Sequence, residues 1–317
     1  MNERQLQYVV AIAETGSFTA AAERCYTAQS ALSQQIARLE AHLGVRLFDR
    51  TSRSVRLTEA GQILLPVAQR ILDDMNRARD AVRAVSGTVR GPLRLGATQT
   101  AARMLNLIQL LADYNRQHAD VDLSVTIGPG LELISAIGSG DLDVAFAATD
   151  DQAPPPGVEF RPFGGSQPLV AVVSCDHQLA DHHEVRLQDL VAASRFVDFR
   201  PHTTLWNRTE AMCAAAGVRR DVMCELGHIG EMVRLAASGL AAAIVPAVFT
   251  EPADDQPPPP DDIRVLHLAE PQAFLTMGTF LRRDRMSAPA IRAFVTLLSE
   301  DRHVVAAGTG LAGARSR

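Results

Sequence analysis

The stretch from Gly16 to Gly61, GSFTAAAERCYTAQSALSQQIARLEAHLGVRLFDRTSRSVRLTEAG, decides the fold of the amino-terminal part. Ser17 can cap a short helix over Phe18 to Cys25, where Ala20, Ala21 and Ala22 allow close helix approach. Thr27 is placed to cap the next helix, in which Leu32, Ile36, Leu39 and Leu43 recur along one face until Gly44 ends it, so that face must be buried. Gln29, Ser30, Ser33 and Gln34 occupy its first turn and opposite side, and such short or amide side chains can donate and accept toward base edges in a major groove. The apolar runs Val45 to Phe48 and Val55 to Leu57 bracket Asp49-Arg50-Thr51-Ser52-Arg53-Ser54, a wing. Arg46, Arg50, Arg53 and Arg56 against the single acid Asp49 make it basic, as a loop lying on phosphates or entering a minor groove must be. One such arginine alone would be a solvated surface residue; four beside a polar helix point to nucleic acid. Upstream, Leu6, Val9, Val10 and Ala13 follow helical spacing up to Thr15-Gly16. The first 58 residues therefore read as an all-α winged helix-turn-helix.

A chain of 317 residues exceeds what one core usually serves, and 47% apolar with 21% charged residues describes a globular protein, neither disordered nor membrane-embedded. No apolar stretch reaches spanning length, and Met1-Asn2-Glu3-Arg4 opens an amphipathic pattern instead of an export signal, so a cytoplasmic location without membrane contact is expected. The net charge of -5 excludes no DNA partner, because steering depends on where charge sits. Every Lys+Arg residue is Arg, which biased codon supply explains. Cys25, Cys175, Cys213 and Cys224 form no C-x-x-C, so reduced thiols are expected and neither a zinc ribbon nor a thioredoxin-like motif is supported.

Thr58 can cap a long helix that carries Glu59 in its first turn. Leu64, Val67, Ile71, Met75, Ala78, Val82 and Val85 then recur every three or four residues up to Ser86-Gly87, a stripe that needs a partner helix, and Pro66 can bend it early. From Leu93 strands and helices alternate: LRLGA, a helix over Leu105 to Gln117, DLSVTIG, a helix over Leu131 to Gly138, and LDVAFAA. A second block follows from Gln167 with PLVAVVS, RFVDF, a helix over Thr204 to Ala216, VMCELG, a helix over Gly230 to Ser238, and AAAIVP. AFLTMGTFL and a helix over Ala288 to Ser299 return to the first block. This pattern predicts an α/β domain of two lobes joined by crossing strands, with a mostly parallel sheet. Thr250 to Asp262, with Pro257 to Pro260, reads as a loop between lobes, and the Ala/Gly/Arg tail after Val305 as disordered.

Gly16 to Gly61 resembles the signature of the LysR family of transcription regulators, including its LE-x-x-LG-V-x-LF-x-R core and closing LT-x-x-G. YNRQHADVDL, GDLDVAFA and VRLAASGLAAAIVP are similar to motifs of that family's effector domain, a relative in architecture of periplasmic solute-binding proteins. The resemblance implies a winged helix-turn-helix over 1–58, a dimerising linker helix over 59–87, a hinge over 88–92 and a two-lobed effector domain over 93–301. Lobe I would take 93–165 and 268–301, lobe II 166–267, and 302–317 would be a tail. The implied DNA contacts are Ser17, Thr27, Gln29, Ser30, Ser33, Gln34, Arg38, Arg50 and Arg53, with Arg53 toward the minor groove. Ser30 stands where Pro is usual, Gln34 where Arg is frequent and Cys25 where Leu is customary, so the preferred base sequence is expected to differ. Ala242 replaces a usual Gly and leaves the fold unchanged.

Carried over by position, Thr98, Gln99, Thr100, Pro129, Gly130, Arg200, His202, Thr203, Thr204, His228 and Ile229 would line a cleft between the lobes. Helix amino ends, hydroxyls, Arg200 and His202 favour an anionic effector such as a carboxylate. The implied partners are an inverted repeat of promoter DNA, a small-molecule effector, a second copy in a dimer or tetramer, and RNA polymerase. No cofactor, metal or catalytic residue is expected.

Asp176, His177, Asp181, His182, His183 and Glu184 are ligand-type side chains, but His177 matches a family stretch without metal and a surface loop is expected. Cys213 and Cys224 make a redox-sensing regulator the alternative, although one falls late in a helix and the other in a strand, unlike the pair in peroxide-responsive relatives. A solute-binding protein would need an export signal, and a hydrolase a G-x-S-x-G that is absent from the sequence.

Overall fold

The computed structural model describes residues 1–50, 55–83, 89–149, 153–252 and 258–298. The chain divides into two compact units, Met1–Gly91 and Pro92–Arg317. Arg53, Val85, Ser86, Gly87, Thr88, Pro257 and the tail after Val305 lie outside the described residues.

In the first unit, α1 (Glu3–Thr15), α2 (Phe18–Arg24) and α3 (Gln29–Leu43) precede the two-stranded sheet of β1 (Phe48–Arg50) and β2 (Val55–Leu57), and α4 (Glu59–Arg83) follows. Asn2 caps α1 in a capping box with Gln5, a start signal the apolar spacing did not reveal. Ser17 caps α2 as expected, its Oγ accepting from the Ala20 amide at 3.4 Å. Thr27 does not cap α3. Its amide donates to Ala22 O at 2.9 Å in closing α2, and Ala28 takes the cap position without a side-chain bond.

The face predicted for α3 is buried at Leu32, Ile36 and Leu39 but opens at Leu43, in the last turn. Those three pack with Val9 and Ile12 of α1, with Ala21 and Ala22 of α2 and with Leu47 and Phe48, and Phe18 meets Phe48 edge-on at 5.8 Å. The first wing strand begins at Phe48 and not at Val45. Glu40 fixes its start, accepting from the amides of Leu47 at 2.8 Å and Phe48 at 3.3 Å. Thr58 then donates to Arg46 O at 2.7 Å and caps α4 through the Gly61 amide at 3.1 Å. These bonds give the Glu40, Thr58 and Gly61 of the signature their physical reason.

The helix α4 has a partner within its own unit. Ala68, outside the predicted stripe, is fully buried, Leu64 packs on the core of α1 to α3, and Arg79 pairs with Glu3 of α1 at 2.7 Å. The remaining stripe is only half covered at Val67, Ile71 and Met75, while Ile63 at 67% and Val82 at 75% exposure are left open. The unit thus leaves an apolar band on α4.

The second unit contains β3 (Gly91–Ala97), α5 (Gln99–Met104), α6 (Leu107–Gln117), β4 (Val121–Ile127), α7 (Gly130–Ser139), β5 (Val144–Thr149) and β6 (Val158–Ser174). It continues through β7 (Glu184–Val185), α8 (Leu187–Ala193), β8 (Phe196–Phe199), α9 (Thr204–Ala215), β9 (Val222–Leu226), α10 (Ile229–Ala237), β10 (Ala242–Pro246), β11 (Ile263–Leu268), β12 (Phe274–Arg282) and α11 (Pro289–Leu298). Among the described residues the strand order is β4-β3-β5-β12-β6-β10-β8-β9, with β11 pairing both β6 and β7. The pairs β3–β5 and β10–β8 and β8–β9 are parallel. β12 runs antiparallel to β5 and to the first part of β6, whose second part pairs antiparallel with β10 and β11. The crossing strand is therefore a single 17-residue strand that begins at Val158, ten residues before the predicted PLVAVVS run.

The predicted helix over Leu105 to Gln117 is α6, which starts two residues later because Asn106 takes a left-handed φ of 42°, while α5, just before it, had no counterpart in the sequence pattern. The short elements β7, α8 and β11 carry too little period to be read from sequence. The GDLDVAFA motif is held by buried Asp143, which accepts from the Arg94 amide at 2.9 Å, while the Arg94 guanidinium donates to Gly140 O at 2.9 Å. Among the described residues no helix is long and apolar enough to cross a membrane.

Candidate functional site

In the first unit, the residues opposite the buried face of α3 form one polar surface. Gln29, Ser30, Gln34 and Arg38 are exposed and Ser33 is half-buried. Their side chains make no hydrogen bond or ion pair among the described residues, so their donors and acceptors are available to an outside partner. Ser17 is half-exposed and spends its hydroxyl on the α2 cap, and Thr27 is half-buried in the turn. Arg50 ends β1, while Arg53 lies outside the described residues. The structure therefore places five predicted residues on one helix face, and of the wing arginines it has Arg46 and Arg56 exposed.

In the second unit a cavity of about 330 Å³ opens between the two halves of the sheet. Thr98, Gln99, Thr100, Pro129, Gly130, Arg200, Thr203, Thr204, His228 and Ile229 line it. His202 does not. It has a left-handed φ of 61°, is exposed and lies with its ring 5.7 Å from that of Trp206, outside the lining. The apolar floor was missed: Ile127, Ala148, Phe199, Leu205, Leu275 and Met277. Leu275 and Met277 sit inward on β12, which the linear pattern identified as a strand without showing which half of the sheet it completes.

Four helices begin at this cavity. Thr98 caps α5 through the Ala101 amide at 3.2 Å, and Thr203 caps α9 through the Trp206 amide at 3.4 Å. Pro129 and His228 precede α7 and α10 without a cap from their own side chains; the first amide of α10 is met by Gln99 instead, and the positive end of α7 faces the cavity. Gln99 bridges the two sides, its Nε2 donating to Gly227 O at 2.8 Å and its Oε1 accepting from the Ile229 amide at 3.2 Å. The absence of a side chain at Gly130 permits close approach across the cleft, since a Cβ there would lie 3.3 Å from Thr204 Oγ1. That hydroxyl, on a residue only 7% exposed, has no hydrogen-bond partner among the described residues. A buried hydroxyl is seldom left in that state unless something else supplies the bond.

The wall below α9 is fixed by charge. Arg220 is buried and donates to Asp198 of β8 at 2.5 Å and to Glu210 of α9 at 2.6 Å, and its Nη1 lies 3.2 Å from Cys213 Sγ. Burial pushes the Asp198 carboxyl up, with Arg220 opposing that shift. Burial likewise pushes the Cys213 thiol up, and Arg220 only partly counters it, so Cys213 has little of the thiolate that peroxide chemistry uses. Cys224 is half-buried on β9. Among the described residues no group of His, Cys, Asp or Glu could hold a metal ion. His177 instead pins its loop, with Nδ1 accepting from the Leu179 amide at 3.2 Å and Nε2 3.0 Å from Ser194 Oγ.

Comparison with known proteins matches residues 3–62 to the model "Bacterial regulatory helix-turn-helix protein, lysR family" and residues 86–302 to "LysR substrate binding domain". The uncharacterized HTH-type transcriptional regulator YnfL of Escherichia coli is 31% identical over 293 residues, 92% of this chain and 95% of that protein. The DNA-binding transcriptional dual regulator OxyR of Escherichia coli is 27% identical over 300 residues, again 92% and 95%. Among solved structures, full-length CbnR complexed with its target DNA is similar with a TM-score of 0.66 at 24% identity, over 95% of this chain and 99% of that one. A full-length OxyR variant from Pseudomonas aeruginosa is similar with a TM-score of 0.72 at 24% identity, over 97% and 96%.

Proposed function

The chain belongs to the LysR family of bacterial transcriptional regulators, and from that premise we propose that α3 enters the major groove of promoter DNA while a small effector occupies the cleft of the second unit. The observation that carries the reading is the unpaired polar face of α3, where Gln29, Ser30, Gln34 and Arg38 are exposed. The half-covered apolar band of α4 suits a second copy, and a homodimer or dimer of dimers would present two such faces to an inverted repeat. RNA polymerase would then be the recipient of the regulatory signal. Effector occupancy acts by favouring one lobe arrangement over another, which requires different affinity for the two.

Anisotropy titrations of labelled duplexes test the docking. Arg53→Ala should weaken binding to every sequence and reduce the slope of log affinity against log salt by about one, whereas Gln34→Ala should relax sequence preference. Unchanged affinity and preference in both variants would refute it.

The effector supported by the cleft is a small anion with an apolar body. The amino end of α7, without a cap from Pro129, and Arg200 at the rim suit the charge, while Leu275, Met277 and Phe199 suit the body. Thr204 supplies a hydroxyl without a partner among the described residues. Thr204→Val keeps its shape and removes that hydroxyl, so the ligand-free variant should be as stable as wild type or more stable by about 1 kcal/mol, with a melting midpoint at or above the wild-type one. A clear fall in the midpoint would show that the hydroxyl already has a structural partner.

A further inference from the structure

Tyr26 lies in the turn between α2 and α3, and the turn has a defined geometry. The Thr27 amide donates to Ala22 O at 2.9 Å and the Tyr26 amide to Glu23 O at 3.1 Å, with Cys25 as the α2 cap. This pattern of a six-residue closure around a four-residue one requires a left-handed residue at the position after the cap, where Gly is usual and Asn the common substitute. Here it is Tyr26, with φ 50°. Its side chain is 96% exposed, more than any other large apolar side chain among those described as exposed. The position is thus unfavourable twice over, as a strained backbone for a residue with a Cβ and as an aromatic ring in water. Among the described residues no side-chain hydrogen bond or ring contact of Tyr26 offsets either. A backbone outlier of this kind is the sort that persists where function holds it.

The ring precedes the first turn of α3 by three residues, next to exposed Ala28, Gln29 and Ser30. A helix whose first turn enters a major groove brings the turn before it to the groove's edge, where phosphates lie. We propose that Tyr26 is a DNA backbone contact, its phenol hydroxyl donating to a phosphate oxygen beside the groove that α3 enters. The contact rests on the reading of α3 as the recognition helix. It positions the helix and carries no base preference, because phosphates are common to every sequence. Being neutral, the hydroxyl displaces no counterion, unlike an arginine on the same phosphate.

The test uses the full chain and a 30-base-pair duplex enriched from a random-sequence pool by the wild type, beside an unrelated duplex of equal length. Tyr26→Phe keeps the ring and removes only the hydroxyl. Its affinity should fall about tenfold on both duplexes, as loss of a hydrogen bond to a charged group predicts, with the slope against salt unchanged. Tyr26→Gly should bind at least as weakly while melting at the wild-type temperature or above, because glycine relieves the left-handed strain. Affinity of Tyr26→Phe within twofold of wild type overturns the assignment, and so does a loss confined to the enriched duplex, which marks a base contact. A change in oligomeric state with DNA affinity intact overturns it in favour of a second copy on this surface. A wild type that enriches no duplex fails the underlying reading, an outcome separate from all of these.

Discussion

Arg220→Ala is expected to destabilise the second unit by about 3–5 kcal/mol, the range for removing one partner of a buried ion pair. Side-chain exposure of Arg220 is 1% and of Asp198 8%, so the substitution leaves a carboxylate in the interior without its cation. Glu210, half-exposed, loses a partner too but can turn to water, so its share is small. Urea unfolding followed by the fluorescence of Trp206, the single tryptophan of the chain and a residue of α9, reads this unit directly. Burial already raises the Asp198 pKa with Arg220 present, and removing the guanidinium raises it further. A carboxyl whose folded pKa lies above its unfolded value contributes stability when protonated and loses it as pH rises through the folded pKa. The deficit of Arg220→Ala should therefore be larger at pH 8 than at pH 5.

A double variant, Asp198→Leu with Arg220→Met, removes both charges and should recover most of the loss, since apolar replacement of a whole buried pair is often neutral or better. An Arg220→Ala protein within about 1 kcal/mol of wild type at pH 8 would show that solvent reaches Asp198. The network also concerns the cleft. Asp198 is on β8 two residues before Arg200, Glu210 is on α9, and α9 begins at Thr204, so Arg220 ties the strand and helix that present these lining residues.

The legible parts of this chain were those with a strong local period or a distinctive turn residue. The apolar steps on α3, the caps at Ser17 and Thr58 and the strand runs at Val144–Thr149 and Ala242–Pro246 depend on neighbours in sequence, and the structure has them where expected. The Thr27 cap failed because two helices compete for that residue, and closure of α2 takes its amide first. The start of α6 after Asn106 depends on one left-handed residue that has no apolar signature. Ala68 escaped notice because its burial follows from α1, more than 50 residues away in sequence, and its small side chain looks neutral in a pattern. The polar rim of the cleft could be carried over by position because it sits at strand ends and helix starts. Its floor could not, because Leu275 and Met277 arrive on a strand from the far end of the chain. His202 was misplaced for a related reason: a left-handed backbone turns its ring away from a loop whose other members face inward.

The same reasoning makes Gly61→Ala the severest small substitution expected in the first unit. A Cβ at Gly61 would lie 2.2 Å from Leu47 O and 2.8 Å from Leu57 Cδ2. The leucine side chain can move, but Leu47 O is backbone and accepts the Thr58 amide at 3.0 Å, the bond that joins the wing to the start of α4. Relief therefore requires the amino end of α4 to move away from the wing, weakening the Thr58 cap and the packing of Ala60 and Leu64 on the core. Overpacking against rigid backbone falls at the upper end of its usual range, so a loss of about 3 kcal/mol is expected. DNA affinity should fall with it, since the wing and α3 share the Glu40 bonds to Leu47 and Phe48. Trp206 fluorescence, which reports on the other unit, should keep its wild-type urea midpoint while far-UV circular dichroism gains an earlier transition. Wild-type DNA affinity and a single unshifted transition would mean that the close approach of Gly61 to Leu47 is not needed for the fold. Loss of both transitions together would instead mean that the two units unfold as one cooperative body.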